Sequence, residues 1–334
     1  MKVSVIFHWL VVAVLLGTIL LLCMYISLGN TEGNVAVTLV NSTRLSRDVP
    51  DNRSLAEKRQ SVRMALIKEY CRKNDRRNIT FPPLRRFVVD ERHKLLYCQV
   101  FKTGSTTTLT ILHNLEHGKK RSTRGMRKTL DTHPFKRLNN YTKEGVRLRF
   151  EKYTKLMIVR DPLERLVSAW KDKFVVAPAR FGYWKTYQSM LEALSSDTLR
   201  QQVSTKKTEN GTIQQVPFLA FIKAVGTNRR DWQDLHWQLI SNLCTPCQID
   251  YDFIAHTETL AEDFPLFFKK AGIVGRNDLL PKTQSREGDR LLWDFYRQVH
   301  LEDLHRIKLK FKADYDMFGY SFDEDMTEML NHRS

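Results

Sequence analysis

No segment of the chain repeats at a fixed period, which excludes solenoids, propellers and other repeat arrays. There is no Walker A loop. In Phe101-Lys102-Thr103-Gly104-Ser105-Thr106-Thr107 the lysine precedes the only glycine, whereas a Walker lysine follows the second of two. Cysteine is sparse. The one Cys-x-x-Cys pair, Cys244 and Cys247, has no second pair to complete a zinc set, and no thioredoxin-like unit surrounds it. Acidic residues are outnumbered, with 37 Asp and Glu against 54 Lys and Arg and a formal net charge of +17. That excess points to an anionic partner: nucleic acid, a membrane surface, a nucleotide or an acidic polysaccharide. Apolar content is ordinary, so global disorder is excluded, and 334 residues suffice for one large domain or two small ones.

From Val3 to Leu28 no Asp, Glu, Lys or Arg interrupts an apolar stretch, which is long enough to cross a bilayer as a tilted helix. A cleaved signal peptide is the alternative, with Ser27-Leu28-Gly29 as a small-x-small site. The stretch exceeds a signal core of about 7–15 residues, which favours an anchor. Lys2 and the free amine hold the short end in the cytosol, leaving the remainder lumenal. Sequons at Asn41, Asn52, Asn78, Asn140 and Asn210 all lie beyond the stretch. Beyond it too are four cysteines, Cys71, Cys98, Cys244 and Cys247. They suit two disulfides in an oxidising compartment, in any of three connectivities. A nuclear or cytosolic nucleic-acid binder needs neither anchor nor sequons, so nucleic acid is not an expected partner.

Residues 29–85 are polar and highly charged and read as a stem. Within them Leu55, Val62, Leu66 and Ile67 recur near helical spacing, which predicts a helix around Ser54–Tyr70, and Pro82-Pro83 breaks the chain. From Arg86 strands alternate with helices. Leu95 to Val100 reads as a strand, followed by the Gly104 turn and a helix through Leu109, Leu112 and Leu115. Leu156-Met157-Ile158-Val159 reads as a buried parallel strand. Asp161 then suits an N-cap, Pro162 the first helical position and Glu164 the third, with Leu163, Leu166, Val167 and Trp170 as the apolar stripe. Strand–loop–helix twice over predicts an α/β fold with a mainly parallel sheet, whose ligands sit at the carboxyl ends of the strands.

Both loops lie at that edge. Gly104 lets the backbone approach an anion, the hydroxyls and free amides opening the next helix can bond phosphate oxygens, and Lys102 adds a mobile charge. In Arg160-Asp161-Pro162-Leu163-Glu164-Arg165-Leu166-Val167-Ser168, Arg160 leaves a buried strand where a planar fork can grip phosphate, and Ser168 lies two turns on. Singly, the first loop also fits a plain helix-capping turn, and the second a well-capped helix with a surface arginine.

Together the loops resemble the two PAPS (3′-phosphoadenosine 5′-phosphosulfate) elements of Golgi carbohydrate sulfotransferases, closest to the group of HNK-1, chondroitin and dermatan sulfotransferases. The likeness continues through Ala169 to Phe174, His236-Trp237, Leu243 to Cys247, Tyr251 to Ile254 and Asp314 to Tyr320. Phe101 departs from the proline usual in that family, and Thr107-Thr108-Leu109 from its Asn-Trp-Lys. The resemblance implies a P-loop-like sulfotransferase fold, a central mainly parallel sheet flanked by helices. It implies a cytoplasmic tail at 1–4, a transmembrane signal-anchor at 5–28, a lumenal stem at 29–85 and a catalytic domain at 86–334, in a single-pass type II Golgi membrane protein. PAPS is then the donor, held by residues 101–107 at its 5′-phosphosulfate and by residues 160–168 at its 3′-phosphate. A glycan or proteoglycan is the acceptor, and no metal is expected.

Within that frame Lys102 stabilises charge at the leaving phosphate, and Arg160 and Ser168 take the 3′-phosphate. His133, in Thr132-His133-Pro134-Phe135, is the expected base, with His236 the second candidate. The acid-free basic run Lys119-Lys120-Arg121, with Arg124, Arg127 and Lys128, is either a solvated loop or a hold for an anionic glycan. Three alternatives stand beside this reading: a heparan-type uronyl sulfotransferase; a lumenal nucleotide-sugar glycosyltransferase using Asp314-Tyr315-Asp316 as a metal site; and a membrane-tethered glycan-binding protein.

Overall fold

The computed structural model describes residues 54–74, 83–118, 122–123, 135–176, 204–208, 211–227, 229, 232–281 and 288–331. The apolar stretch Val3–Leu28, the sequons at Asn41, Asn52, Asn78 and Asn210, all six residues of the basic run and His133 lie outside them. Among the described residues no helix is long and apolar enough to cross a membrane.

Alternation within four short strands sets the architecture. β1 (Phe87–Asp90), β2 (Leu95–Cys98), β3 (Thr154–Val159) and β6 (Phe253–His256) form one sheet in the order β1-β2-β3-β6. β1 runs antiparallel to β2, while β2–β3 and β3–β6 are parallel, so the sheet is mixed with parallel pairing dominant. Successive side chains point to opposite faces. Phe87, Val89, Leu96, Cys98, Met157, Val159 and Ile254 therefore face one apolar cluster. Val88, Leu95, Tyr97, Leu156, Ile158, Phe253 and Ala255 face the other. Both faces are covered, as parallel pairing requires.

The second face carries α2 (Ser105–His117) and α7 (Leu260–Lys270), through Leu109, Leu112, Leu115, Phe264 and Phe267. The first face carries α1 (Leu55–Lys73), through Ile67 and Cys71, and the end of α9 (Leu301–Phe318), through Met317 and Phe318. The expected helix near 54–70 is thus present, and it is built into the domain although it falls within the residues read as stem. Ser54 caps it. Its hydroxyl accepts from the Glu57 amide at 3.3 Å, and the Glu57 carboxylate accepts from the Ser54 amide at 2.8 Å. Arg63, buried in the middle of α1, donates to Asp263 of α7 at 2.8 Å and to Thr259 at 2.7 Å. Where α9 ends, Gly319 adopts φ +72°, a left-handed backbone that selects glycine, and a Cβ there would displace the tip of the Leu66 side chain on α1, 2.7 Å away at Cδ1.

A third, all-helical core packs α4 (Pro162–Trp170), α5 (Phe218–Gly226), α8 (Gly288–Tyr296), α9 and α10 (Phe322–Asn331) around Phe221, Trp237, Tyr296 and Phe311. α3 (Lys143–Lys152) precedes β3, and a separate antiparallel hairpin pairs β4 (Ser204–Thr208) with β5 (Gly211–Gln215). The short helix α6 (Ile240–Cys244) collects both disulfides: Cys98 bonds Cys244, and Cys71 bonds Cys247 just beyond the helix end.

Candidate functional site

Loop one leaves β2 at the carboxyl edge of the sheet. Thr103 is fully buried, and its hydroxyl donates inward to the Val100 carbonyl at 3.1 Å, which draws the turn tight. Lys102 and Gly104 both take positive φ, +69° and +72°. At Gly104 the backbone conformation selects glycine; space does not, since a Cβ would meet Leu260 at an ordinary 3.5 Å. No side chain caps α2, so helix geometry leaves the amides of Ser105, Thr106 and Thr107 without intrahelical acceptors. Those three residues are half-buried.

Loop two leaves β3 beside it. Asp161 caps α4 by accepting from the Glu164 amide at 2.9 Å, and Pro162 opens the helix. Glu164 does not reach back to complete a capping box. Its carboxylate instead accepts from Arg160 Nε at 3.0 Å. Arg160 Nη1 donates to the main-chain carbonyl of Lys102 at 3.3 Å, joining the two loops. Arg160, Glu164 and Ser168 recur every fourth residue and are partly exposed, whereas Leu163, Leu166 and Val167 sink into the helical core. Arg165 is fully buried. Its guanidinium is spent on carbonyls of Phe101 at 3.1 Å, Gln238 at 2.6 Å and Leu235 at 3.3 Å, so it fixes loop one from beneath.

Asp172, in a π-turn (Lys171–Val176) that continues α4, reaches Lys102 Nζ at 3.2 Å and Lys173 Nζ at 3.5 Å. Burial pushes the Lys102 ammonium below its ordinary value; Asp172 opposes this, and Lys173 and Arg160 add to it. His236 stacks on the Phe101 ring, with centroids 4.3 Å apart and planes at 17°. Its Nδ1 lies 2.5 Å from Asp234 Oδ1. Burial holds the His236 pKa below 6.5 against the pull of Asp234. The ring is therefore neutral at neutral pH, with its proton on Nδ1 and its basic nitrogen at Nε2. Beneath loop two, burial pushes both the Asp161 and Asp325 carboxyls up; the Asp161 charge raises Asp325 further, while the hydrogen bond from Asp325 pulls Asp161 back.

A cleft of about 360 Å³ opens beside loop one, lined by Arg85, Arg86, Gln99, Phe101, Leu109, Phe135 and Arg137. Phe135, two residues past His133, forms part of its wall. Asp172, Asp234, Arg86 and Arg137 escaped the sequence reading. Only their place beside the loops marks them out, although Asp172 falls inside a motif already singled out. The Asp314-Tyr315-Asp316 pattern is divided by its helix. Asp314 is buried and accepts from the amides of Ile240 at 2.7 Å and Ser241 at 2.9 Å, while exposed Asp316 pairs with Lys312 at 2.8 Å. The two carboxylates do not converge on a metal site.

The profile of the Sulfotransferase family matches residues 85–321. Carbohydrate sulfotransferase 10 of Rattus norvegicus is 30% identical over 275 residues, covering 77% of this chain and 74% of that protein. The Xenopus laevis protein of the same name is 27% identical over 87% of this chain and 88% of its own length. Carbohydrate sulfotransferase 8 of Mus musculus is 29% identical over 88% of this chain and 70% of its own. No solved structure matches the chain.

Proposed function

Because the chain belongs to the sulfotransferase family and is a sulfotransferase, we propose that it transfers the sulfuryl group of PAPS to a hydroxyl of a glycan of the chondroitin, dermatan or HNK-1 type. The Arg160–Lys102 contact carries this reading: it brings an uncapped helix start, a lysine and an arginine to one sheet edge. That donor set suits a nucleotide with an anionic group at each end.

PAPS supplies a sulfuryl group on a phosphate leaving group, open to in-line displacement by a hydroxyl. The α2 amides, Lys102 and the loop hydroxyls hold the 5′ end, and Arg160 with Ser168 holds the 3′-phosphate. Lys102, held in the resting site by Asp172, turns to the bridging oxygen and stabilises the charge that develops there. His133 accepts the hydroxyl proton. His236 is the second reading for that role, favoured by its neutral ring and its Asp234 partner. Residues 5–28 anchor the protein in the Golgi membrane with 1–4 in the cytosol, a lumenal stem begins at residue 29, and residues 86–334 together with α1 form the catalytic domain.

The test is full-length protein in detergent with labelled PAPS and a panel of desulfated chondroitin, dermatan and heparan chains and N-glycans. Metal-independent transfer of label to a glycan is expected. Absence of transfer to every member, together with failure to bind PAP, would overturn the reading. Transfer confined to heparan would favour the uronyl alternative.

A further inference from the structure

Arg86 is more than nine-tenths buried, at 8% exposure, yet its Nε and Nη1 have no hydrogen-bond partner among the described residues. Its guanidinium lies 5.1 Å from the centre of the Phe101 ring, at the wall of the cleft beside loop one. Arg85 and Arg137 line the same cleft, and no acidic side chain does. Arg137 is locked in place, donating to the Arg85 carbonyl at 2.9 Å and to Gln99 Oε1 at 2.8 Å. Burial, then Arg137 and Arg85, push Arg86 down to about 10, with Asp234 opposing them. Buried guanidinium donors are ordinarily paired, and like charges are not gathered in a cleft without a counter-charge. An oxyanion would satisfy those donors and offset that charge.

The residues assigned to the donor's 3′-phosphate do not line this cleft. Arg160 and Ser168 follow β3. The cleft lies on the far side of β2, between the segment entering β1 and the bridge that Arg137 makes to Val88. Phe101 lines the cleft from loop one, and it is one of the residues at which the chain departs from the family pattern.

We propose that this cleft is the acceptor's anion subsite, where Arg86, with Arg85 and Arg137, takes a carboxylate, sulfate or phosphate of an acidic glycan and sets the reacting hydroxyl at the Phe101–Lys102 edge. This rests on the sulfotransferase reading above. Arg86 is a specificity residue: it grips a part of the acceptor that does not react.

The experiment uses full-length protein in detergent and the best acceptor of the panel above. Three forms of it are compared: intact, carboxyl-reduced, and carboxyl-reduced with sulfate esters added. Wild type and Arg86→Gln are assayed for KM and kcat, and titration calorimetry gives the Kd for PAP and for acceptor on the PAP complex. Arg86→Gln should raise KM and Kd for the acidic acceptor roughly 10–100-fold, as loss of hydrogen bonds to a charged group does. It should leave the carboxyl-reduced acceptor and PAP unchanged. Carboxyl reduction should weaken wild type by a similar factor; recovery on sulfation, in wild type alone, would identify sulfate as an equal occupant. Arg86→Lys, which keeps the charge, should retain part of the preference for acidic acceptor, and this decides the matter if Arg86→Gln melts early. The proposal falls if the best acceptor is neutral, if Arg86→Gln weakens acidic and reduced acceptors alike, or if PAP affinity falls by the same factor. No transfer and no PAP binding by wild type instead sinks the sulfotransferase reading, and this one with it.

Discussion

The guanidinium of Arg160 donates to the main-chain carbonyl of Lys102, 58 residues earlier in the chain. Loop one is thus held from the side by one arginine and from below by another, Arg165, on the adjoining Phe101 carbonyl. Lys102 itself sits at φ +69°, between these two anchored carbonyls.

Lys102→Ala should lower kcat by roughly 10²–10³, the loss typical of a group that stabilises transition-state charge. PAP should still bind, through Arg160 and the α2 amides. Turnover and calorimetric PAP affinity check this together, and near-normal turnover removes Lys102 from the mechanism.

Replacing the general base with alanine should cost roughly 10²–10⁴ in kcat. We expect that loss from His133→Ala with PAP binding retained, and a smaller one from His236→Ala. If His236 is the base instead, the losses are reversed. The acid limb of the wild-type kcat profile then falls below pH 6.5, because burial lowers that histidine.

Asp161 and Asp325 give a pH dependence of opposite sense to ordinary paired carboxylates. Both are raised in the fold from the ordinary 3.8, Asp161 by burial with the Glu164 charge adding to it, and Asp325 by burial and by the Asp161 charge. Their contribution to stability is fully present below about pH 4 and is lost as pH rises through the raised values. Asp325→Asn should therefore gain on wild type in urea midpoint between pH 5 and pH 8. A gap that does not change with pH would count against the pair.

A chain starting at residue 53 should fold, and one starting at residue 86 should not. The shorter chain loses α1, leaves Asp263 buried without Arg63 and removes the Cys71 bridge. Stripping one partner from a buried ion pair alone costs about 3–5 kcal/mol. Thermal melting of the two purified fragments decides this.

Much of the sheet edge was legible in the sequence. The apolar runs at Leu95 and Leu156 could be little else than strands, and Asp161-Pro162 announces a helix start. The α1 helix was visible in its spacing, but its membership in the domain was not, because Arg63 reads as a stem charge until Asp263 stands opposite it. Glu164 shows the limit of local rules: the capping box predicted its position but not its choice of Arg160 over the Asp161 amide. Four cysteines admitted three pairings, and only the placement of α6 beneath β2 and α1 chose between them. The Arg86 cleft left no local signal, because its lining comes from four separate segments.

The bond from Cys71 to Cys247 spans 176 residues of sequence. As the chain emerges from the ribosome, α1 must wait unclasped until about three-quarters of the polypeptide has been made. Cys98, released meanwhile, faces the same pair of late-arriving thiols. Maturation therefore depends on the order in which these partners meet, and a disulfide isomerase that unmakes a premature Cys71–Cys98 link should speed the appearance of active enzyme.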